Sequence, residues 1–156
     1  MRLHWLVLAG LLLQPVDAKA QDHWSAEVTT RLERGGERLK PQGYAPAGIV
    51  SAGSLFVDEK RDLAVPAAAG MESLFLGACD PDCTGLALVL TDSAGYQLDA
   101  DRGPGITPVV RLPAGSLRGP FKLTVILSGC RVSPCRYAVA RYARRPSRPP
   151  PAGRAE

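Results

Sequence analysis

Four cysteines are the residues of this sequence best suited to chemistry, and they form two close pairs. Three residues separate Cys79 from Cys83, and four separate Cys130 from Cys135. The chain has only two histidines to complete a zinc site, and it has no redox-type C-x-x-C. We therefore expect two disulfides. Loop entropy favours a long-range cross-link, but tight corners bring local partners within bonding distance, so we predict Cys79–Cys83 and Cys130–Cys135.

Acidic residues near these corners raise the question of a calcium site. The candidates are Asp80, Asp82, Asp99 and Asp101, with Asp92 as a further possibility. Calcium takes about six to eight oxygen ligands, so its sites gather several carboxylates. In the alternative interpretation, Asp-Pro-Asp and Asp-Ala-Asp are turn residues whose carboxylates accept backbone N–H groups. We favour the turn interpretation and predict no cofactor, with calcium as a minor alternative.

Catalytic groups are few. A serine hydrolase needs a base, and outside the first twenty residues the only histidine is His23. Ser54 and Ser116 each stand in Ala-Gly-Ser-Leu, which lacks the G-x-S-x-G pattern and is more typical of a turn beside a strand. Glu59 and Glu72 could form a glycosidase pair, but nothing in the sequence places them together. We predict that the chain is not an enzyme and has no catalytic residues.

The formal net charge of +4 is located at the end of the chain. Residues 21–140 contain 12 Lys and Arg against 13 Asp and Glu, whereas residues 141–156 contain five Arg against one Glu. A nucleic-acid site requires a basic stripe on a folded face or aromatic side chains between the charges. Because the charge lies in a Pro- and Arg-rich tail, we predict no nucleic-acid partner and a disordered tail at 143–156.

The N-terminal segment has the pattern of a secretory signal peptide. A positively charged start is followed by an apolar run over residues 3–13 and then by Ala18-Lys19-Ala20, an A-x-A cleavage signal. The run is well short of the roughly 20 residues that a membrane-spanning helix needs. We predict a signal peptide at 1–20, no transmembrane segment, and a periplasmic or extracellular bacterial location, which matches the expected disulfides.

The segment 21–40 is the one good helical stretch. Apolar residues recur on one side, and Glu27 can form an ion pair with Arg31 one turn later. We expect Gly35 and Gly36 to weaken or end the helix, which begins near Asp22. The helix is predicted to cover one face or edge of its own domain, through Trp24, Val28, Leu32 and Leu39.

Short strands separated by turns follow over residues 41–142. After a loop at 41–48, the clearest strand is 121–127, where Phe121, Leu123, Val125 and Leu127 alternate with other residues. Glycine and proline together make up 30 of the 156 residues, which suits many turns. We predict an all-β fold, an antiparallel jelly-roll-like β-sandwich with one N-terminal helix. The other strands are expected at 54–57, 63–66, 73–78, 86–91, 96–100, 109–112 and 136–142.

The segment 77–83, Gly-Ala-Cys-Asp-Pro-Asp-Cys, and the strand and turn at 86–95 resemble a pattern of small secreted bacterial β-sandwich proteins. The pattern continues through Asp99-Ala-Asp101 to the Cys130–Cys135 hairpin, and covers about residues 50–142. It resembles the bacterial pre-peptidase C-terminal domain, a jelly-roll-like module often attached to exported peptidases. Some domains of this type bind calcium, but this chain has Leu86 and Leu88 without the neighbouring acids found in that family, so the resemblance does not extend to a calcium site.

The functional expectation is a non-catalytic exported module with a binding or structural role. Its partner would be a protein or a glycan, contacted through loops, and the module is expected to be a monomer. The alternative is an accessory protein or inhibitor of a periplasmic or secreted hydrolase.

Overall fold

In the computed structural model, the described residues are 18–66, 70–115 and 119–146. Most of the predicted signal peptide, Ser116 and the tail from residue 147 lie outside these ranges. One helix, α1 (Ala18–Glu37), precedes eight strands. The strands are β1 (Ala45–Leu55), β2 (Lys60–Val65), β3 (Glu72–Cys79), β4 (Cys83–Thr91), β5 (Gln97–Asp101), β6 (Val109–Leu112), β7 (Phe121–Cys130) and β8 (Cys135–Arg144).

The strands form two antiparallel sheets of four. Sheet A has the order β1-β8-β3-β6, and sheet B has the order β2-β7-β4-β5. The first half of the chain therefore pairs with the second half in reverse, β1 with β8, β2 with β7, β3 with β6 and β4 with β5. This nested order over two sheets is the jelly-roll topology, and the predicted all-β sandwich with a leading helix is confirmed.

The chain reverses between β4 and β5 in a turn organised by Asp92. Its Oδ1 accepts the backbone N–H groups of Ala94 and Tyr96, both at 2.9 Å. Gly95 has a φ of 88°, a left-handed conformation that glycine adopts without steric cost. This turn was predicted from the sequence, and it lies at the midpoint of the nested pairing.

The largest difference from the predicted strands concerns β1. A loop was expected at 41–48 and a short strand at 54–57, whereas β1 runs from Ala45 to Leu55. Its small residues are mostly exposed, so no apolar alternation marks the strand in the sequence. Register irregularities between Pro46 and Ser51 obscure it further. The strand exists because of its pairing with β8, which is about ninety residues away in the chain.

The other correction is at the end of β8. The sandwich was predicted to end at residue 142 and the tail to begin at 143, but β8 continues to Arg144. The Arg144 guanidinium forms an ion pair with Glu72 at 2.9 Å and lies 4.5 Å from the centre of the Tyr44 ring. These contacts keep the last two residues of the strand in the sheet.

The main core lies between the two sheets. The predicted alternation of β7 is confirmed, because Phe121, Leu123, Val125 and Leu127 are all buried. They pack with apolar residues of β3, β4, β6 and β8, among them Phe75, Leu86, Leu88, Leu90, Val110 and Val139.

A second core lies between α1 and the outer face of sheet A. Val28, Leu32 and Leu39 pack against side chains of β3 and β8, namely Leu74, Leu76, Ala78, Ala138, Ala140 and Tyr142. The prediction that this helix covers a face of its own domain agrees with this packing. Trp24, which was expected to take part in this packing, is only half-buried and does not belong to the second core. As a result β3 and β8 are buried on both of their faces.

Gly35 and Gly36 lie at the point where α1 comes closest to the sheet. They were expected to weaken or end the helix, and α1 ends at Glu37, one residue after Gly36. A Cβ on Gly35 would overlap the Leu76 side chain, and one on Gly36 would lie 2.8 Å from Cζ of Tyr142 and closer to its hydroxyl. The two glycines therefore allow the close contact between helix and sheet.

We expect Gly36→Ala to lower the free energy of unfolding by about 1–3 kcal/mol, because the added methyl group overlaps a buried aromatic ring that has little room to move. Alanine is the better helix former by about 1 kcal/mol, so a net loss requires the overlap to outweigh this gain. Urea denaturation measures the change. Gly105→Ala, at a position with open space around it, is the control and should change stability by less than about 0.5 kcal/mol. Equal stability of the Gly36→Ala variant and the wild type would contradict the close contact.

Candidate functional site

Both predicted disulfides are present, Cys79–Cys83 and Cys130–Cys135. The first joins the end of β3 to the start of β4, and the second joins the end of β7 to the start of β8. Each therefore closes a corner where the chain crosses between the sheets. The two corners are neighbours, since Cys83 and Cys130 are register partners in sheet B.

Asp80 joins the two corners through its carboxylate. The residue is only 4% exposed. Its Oδ1 accepts the N–H groups of Asp82 at 3.2 Å and Cys83 at 3.1 Å, within its own corner. Its Oδ2 accepts the N–H of Arg136 at 2.6 Å, in the other corner. Both oxygens are thus used to hold backbone groups, and the role of Asp80 is structural.

Asp99 and Asp101 link the two sheets at a different place. Oδ2 of Asp99 accepts the N–H of Arg111 at 2.7 Å, and Oδ2 of Asp101 accepts the N–H of Val109 at 3.0 Å. Both acceptors are on β5 at the edge of sheet B, and both donors are on β6 at the edge of sheet A. The spacing of two residues places the carboxylates on one side of β5. They satisfy backbone donors that an edge strand otherwise exposes.

The structure does not bring the four aspartates together. Asp80 and Asp82 lie at the disulfide corners, whereas Asp99 and Asp101 lie between β5 and β6. Over residues 18–66, 70–115 and 119–146, no three His, Cys, Asp or Glu side chains are grouped so that they could hold a metal ion. As the turn interpretation expected, the carboxylates of Asp80, Asp99 and Asp101 accept backbone N–H groups, but Asp99 and Asp101 do so from strand β5 and not from a turn. The weak dependence on calcium stays a prediction.

The other candidate residues have contacts of their own. His23 is exposed on α1, with its ring centre 5.3 Å from that of Trp24. Ser54, which was expected beside a turn at the start of the predicted strand 54–57, lies within β1, opposite Arg136. Oε2 of Glu59 accepts the Phe56 N–H at 2.8 Å in the turn after β1.

Glu72, the other carboxylate considered for catalysis, lies at the start of β3. Burial raises its pKa, but hydrogen bonds from Tyr44 and Arg144 and the charge of Arg144 outweigh this, so the pKa is below its ordinary value. Burial, and then the hydrogen bond to Glu72, raise the pKa of Tyr44. The stability that Glu72 adds is present above its unfolded pKa and is lost as the pH falls through the lower folded value. Glu72 thus serves to anchor the end of β8.

Two open grooves lie along the flanks of α1. The alanine groove, between α1 and β1, has a volume of about 420 Å³. Its floor includes Ala52, Ala138 and Ala140, and Ile49, which is 64% exposed, stands at its rim. On the other flank, between α1 and β6, lies a groove of about 470 Å³ that we call the arginine groove.

Three arginines line the arginine groove on its helical side, Arg31, Arg34 and Arg38. Their spacing of three and four residues places them on one side of the helix. The expected Glu27–Arg31 ion pair is not among the three ion pairs of the described residues, and none of the three involves these arginines.

This basic stripe was not predicted from the sequence, because the charges were summed over residues 21–140 without regard to their positions. Glu33 and Glu37, on the flank beside the alanine groove, offset the arginines in that sum. The periodicity of the arginines was the signal in the sequence that indicated their grouping.

Comparison with models of known protein families and with characterised proteins finds no match for this chain. Within the described part of the chain, no helix is long and apolar enough to cross a membrane. The two grooves beside α1 are candidate functional surface because of their shape and lining residues alone.

We expect Asp80→Ala to lower the free energy of unfolding by about 2–4 kcal/mol, since it removes the carboxylate acceptor of the Asp82 and Arg136 N–H groups and leaves the Cys83 N–H with only the Asp80 carbonyl. Denaturation under non-reducing conditions measures the loss. Asp82→Ala is the matched control in the same corner, and it should cost less than about 0.5 kcal/mol. Similar losses for the two variants would contradict the bridging role of Asp80.

We expect calcium at about 5 mM to change the melting temperature by less than about 1 °C, because a ligand stabilises a protein only through a site in the native state. Thermal unfolding with calcium, with magnesium and with a chelator tests this. A rise of several degrees with calcium that disappears in Asp99→Asn/Asp101→Asn would show that these carboxylates form a calcium site.

Proposed function

We propose that this protein is an exported, non-catalytic binding module that contacts a partner protein through the outer face of sheet A, beside α1. The most chemically capable side chains are used in structural hydrogen bonds and disulfides. The two grooves beside α1 offer concave surface for recognition on the face that carries the helix. The resemblance to the bacterial pre-peptidase C-terminal domain, and a role beside a secreted hydrolase, remain expectations within this proposal.

The observation that carries the proposal is the partial cover of sheet A by α1. The helix packs on β3 and β8, the two central strands, and leaves open space beside β1 and β6. Ligand sites are usually concave and mostly apolar with a few polar groups, a description that fits the alanine groove, whereas half of the residues lining the arginine groove are polar or charged. The exposed Ile49 adds apolar surface that a partner would cover.

Export is supported by the two disulfides, which persist in oxidising compartments. Cleavage after Ala20 would remove the first three residues of α1 and leave the part from Gln21. The side chains that pack on the sheet begin at Val28, so this cleavage would keep the helix–sheet contact and both grooves.

Site-specific photo-crosslinking in the exporting bacterium tests the proposal. A photoreactive amino acid at Ile49 would report on the alanine groove, and one at Thr107 on the arginine groove. Leu98, a partly exposed residue of β5 in sheet B, is the control position. We expect a discrete adduct of defined mass from at least one groove position and none from Leu98, because the partner contacts only the helix-bearing face.

Adducts of equal yield at all three positions, or at none, would contradict the proposal. The non-catalytic part has a separate test with the purified protein and ester, peptide and glycoside substrates. Turnover that disappears in a folded His23→Ala variant would show that the protein is an enzyme.

A further inference from the structure

The arginine groove has a strongly asymmetric distribution of charge. Arg31, Arg34 and Arg38 line it, and Glu27 is the single acidic residue among its lining residues. Arg34 and Arg38 are exposed, and Arg31 is half-buried. Three guanidinium groups without an ion pair among the described residues favour an anionic partner, because like charges held close together repel until a counter-charge binds.

The rest of the lining is aliphatic. Leu39, Leu76, Ile106 and Val109 form the side of the groove that faces the sheet. No aromatic residue is among the lining residues, whereas single-stranded nucleic acids are held by stacking of bases on aromatic rings. The combination of arginines and aliphatic surface instead suits a peptide that carries both carboxylates and aliphatic side chains.

The spacing of the arginines is somewhat shorter than the side-chain repeat of an extended peptide, and the long arginine side chains can make up the difference. Along the helix axis, Arg31 and Arg34 are separated by about 4.5 Å, and Arg34 and Arg38 by about 6 Å. Alternate side chains of an extended strand repeat every ~6.6 Å and point to the same side. Carboxylates at alternate positions would therefore meet successive guanidinium groups, and the intervening side chains would face Ile106 and Val109.

We propose that the arginine groove binds an extended acidic segment of a partner protein, in which carboxylates alternate with aliphatic side chains. The inference rests on the proposed function and names the chemistry of the partner. Arginine is suited to this role because its planar guanidinium forms paired hydrogen bonds with a carboxylate.

A fluorescent peptide of alternating leucine and glutamate, with three glutamates, is the probe, and its anisotropy on titration with the protein measures affinity. We expect saturable binding that weakens at least about 10-fold when the salt concentration rises from 50 to 500 mM. The Arg34→Glu/Arg38→Glu variant should bind at least about 10-fold more weakly than the wild type. Arg34→Gln/Arg38→Gln, which removes charge without reversing it, repeats the test if the first variant does not fold.

The matched control is Arg61→Glu/Arg131→Glu, which changes the net charge by the same amount at exposed arginines on sheet B and on the corner between β7 and β8. It should retain the affinity of the wild type. Equal weakening in the control and groove variants would indicate non-specific attraction and overturn the proposal. So would the absence of saturable binding, or tighter binding of an oligothymidylate of equal charge that the groove variant abolishes.

This result is separable from that of the crosslinking experiment. If Ile49 forms adducts but the protein has no affinity for the peptide, the proposal of a binding module stands and only the proposal of an acidic partner segment is overturned. If the wild type binds the peptide, the groove variant does not, and no position forms an adduct, the proposed chemistry of the groove stands and the proposed cellular role is overturned.

Discussion

The contact between α1 and sheet A is the constraint on which the functional surface depends. β3 and β8 carry apolar side chains on both faces. Sheet B can bury only one of these faces, so a further layer is required to bury the other. A helix with its side chains is about 10–12 Å wide, and strands are spaced at about 4.8 Å. One helix therefore covers about two strands of a four-stranded sheet. The grooves beside β1 and β6 follow from this difference in width.

The residues that most resembled a chemical site are used to hold the sandwich together. Asp80 joins the two disulfide corners, and Asp99 and Asp101 join β5 to β6. These bonds lie where a two-sheet fold is weakest, at the crossings and at an exposed edge. The irregular register of β1, an edge strand of sheet A, reduces its capacity to pair with another chain.

The sequence predicted those parts of the fold whose signal is local. The alternation of β7, the apolar run of β4 and the close cysteine pairs each lie within a few residues. It did not predict β1, whose pairing partner is distant, or the partners of Asp80, since Arg136 lies 56 residues further along the chain. The end of α1 just after Gly35 and Gly36 was predicted, but the close contact of these glycines with the sheet was not, for the same reason. Helix propensity is a local property, whereas their role depends on Leu76 and Tyr142.

The arginine groove was not predicted for a different reason. A net charge does not record where along the chain the charged residues lie. A narrow apolar stripe, formed by Val28 and Leu32 in α1 and Leu39 just after it, provides the packing. The flanking residues contribute little to that contact, so their charges are free to differ between the two sides. The three arginines lie on one side together with Glu27, and Glu33 and Glu37 lie on the other, so the sum is close to neutral. Stability and the proposed recognition are thus assigned to different faces of the same helix. A change in the charge of one flank can alter the partner without disturbing the sandwich beneath it.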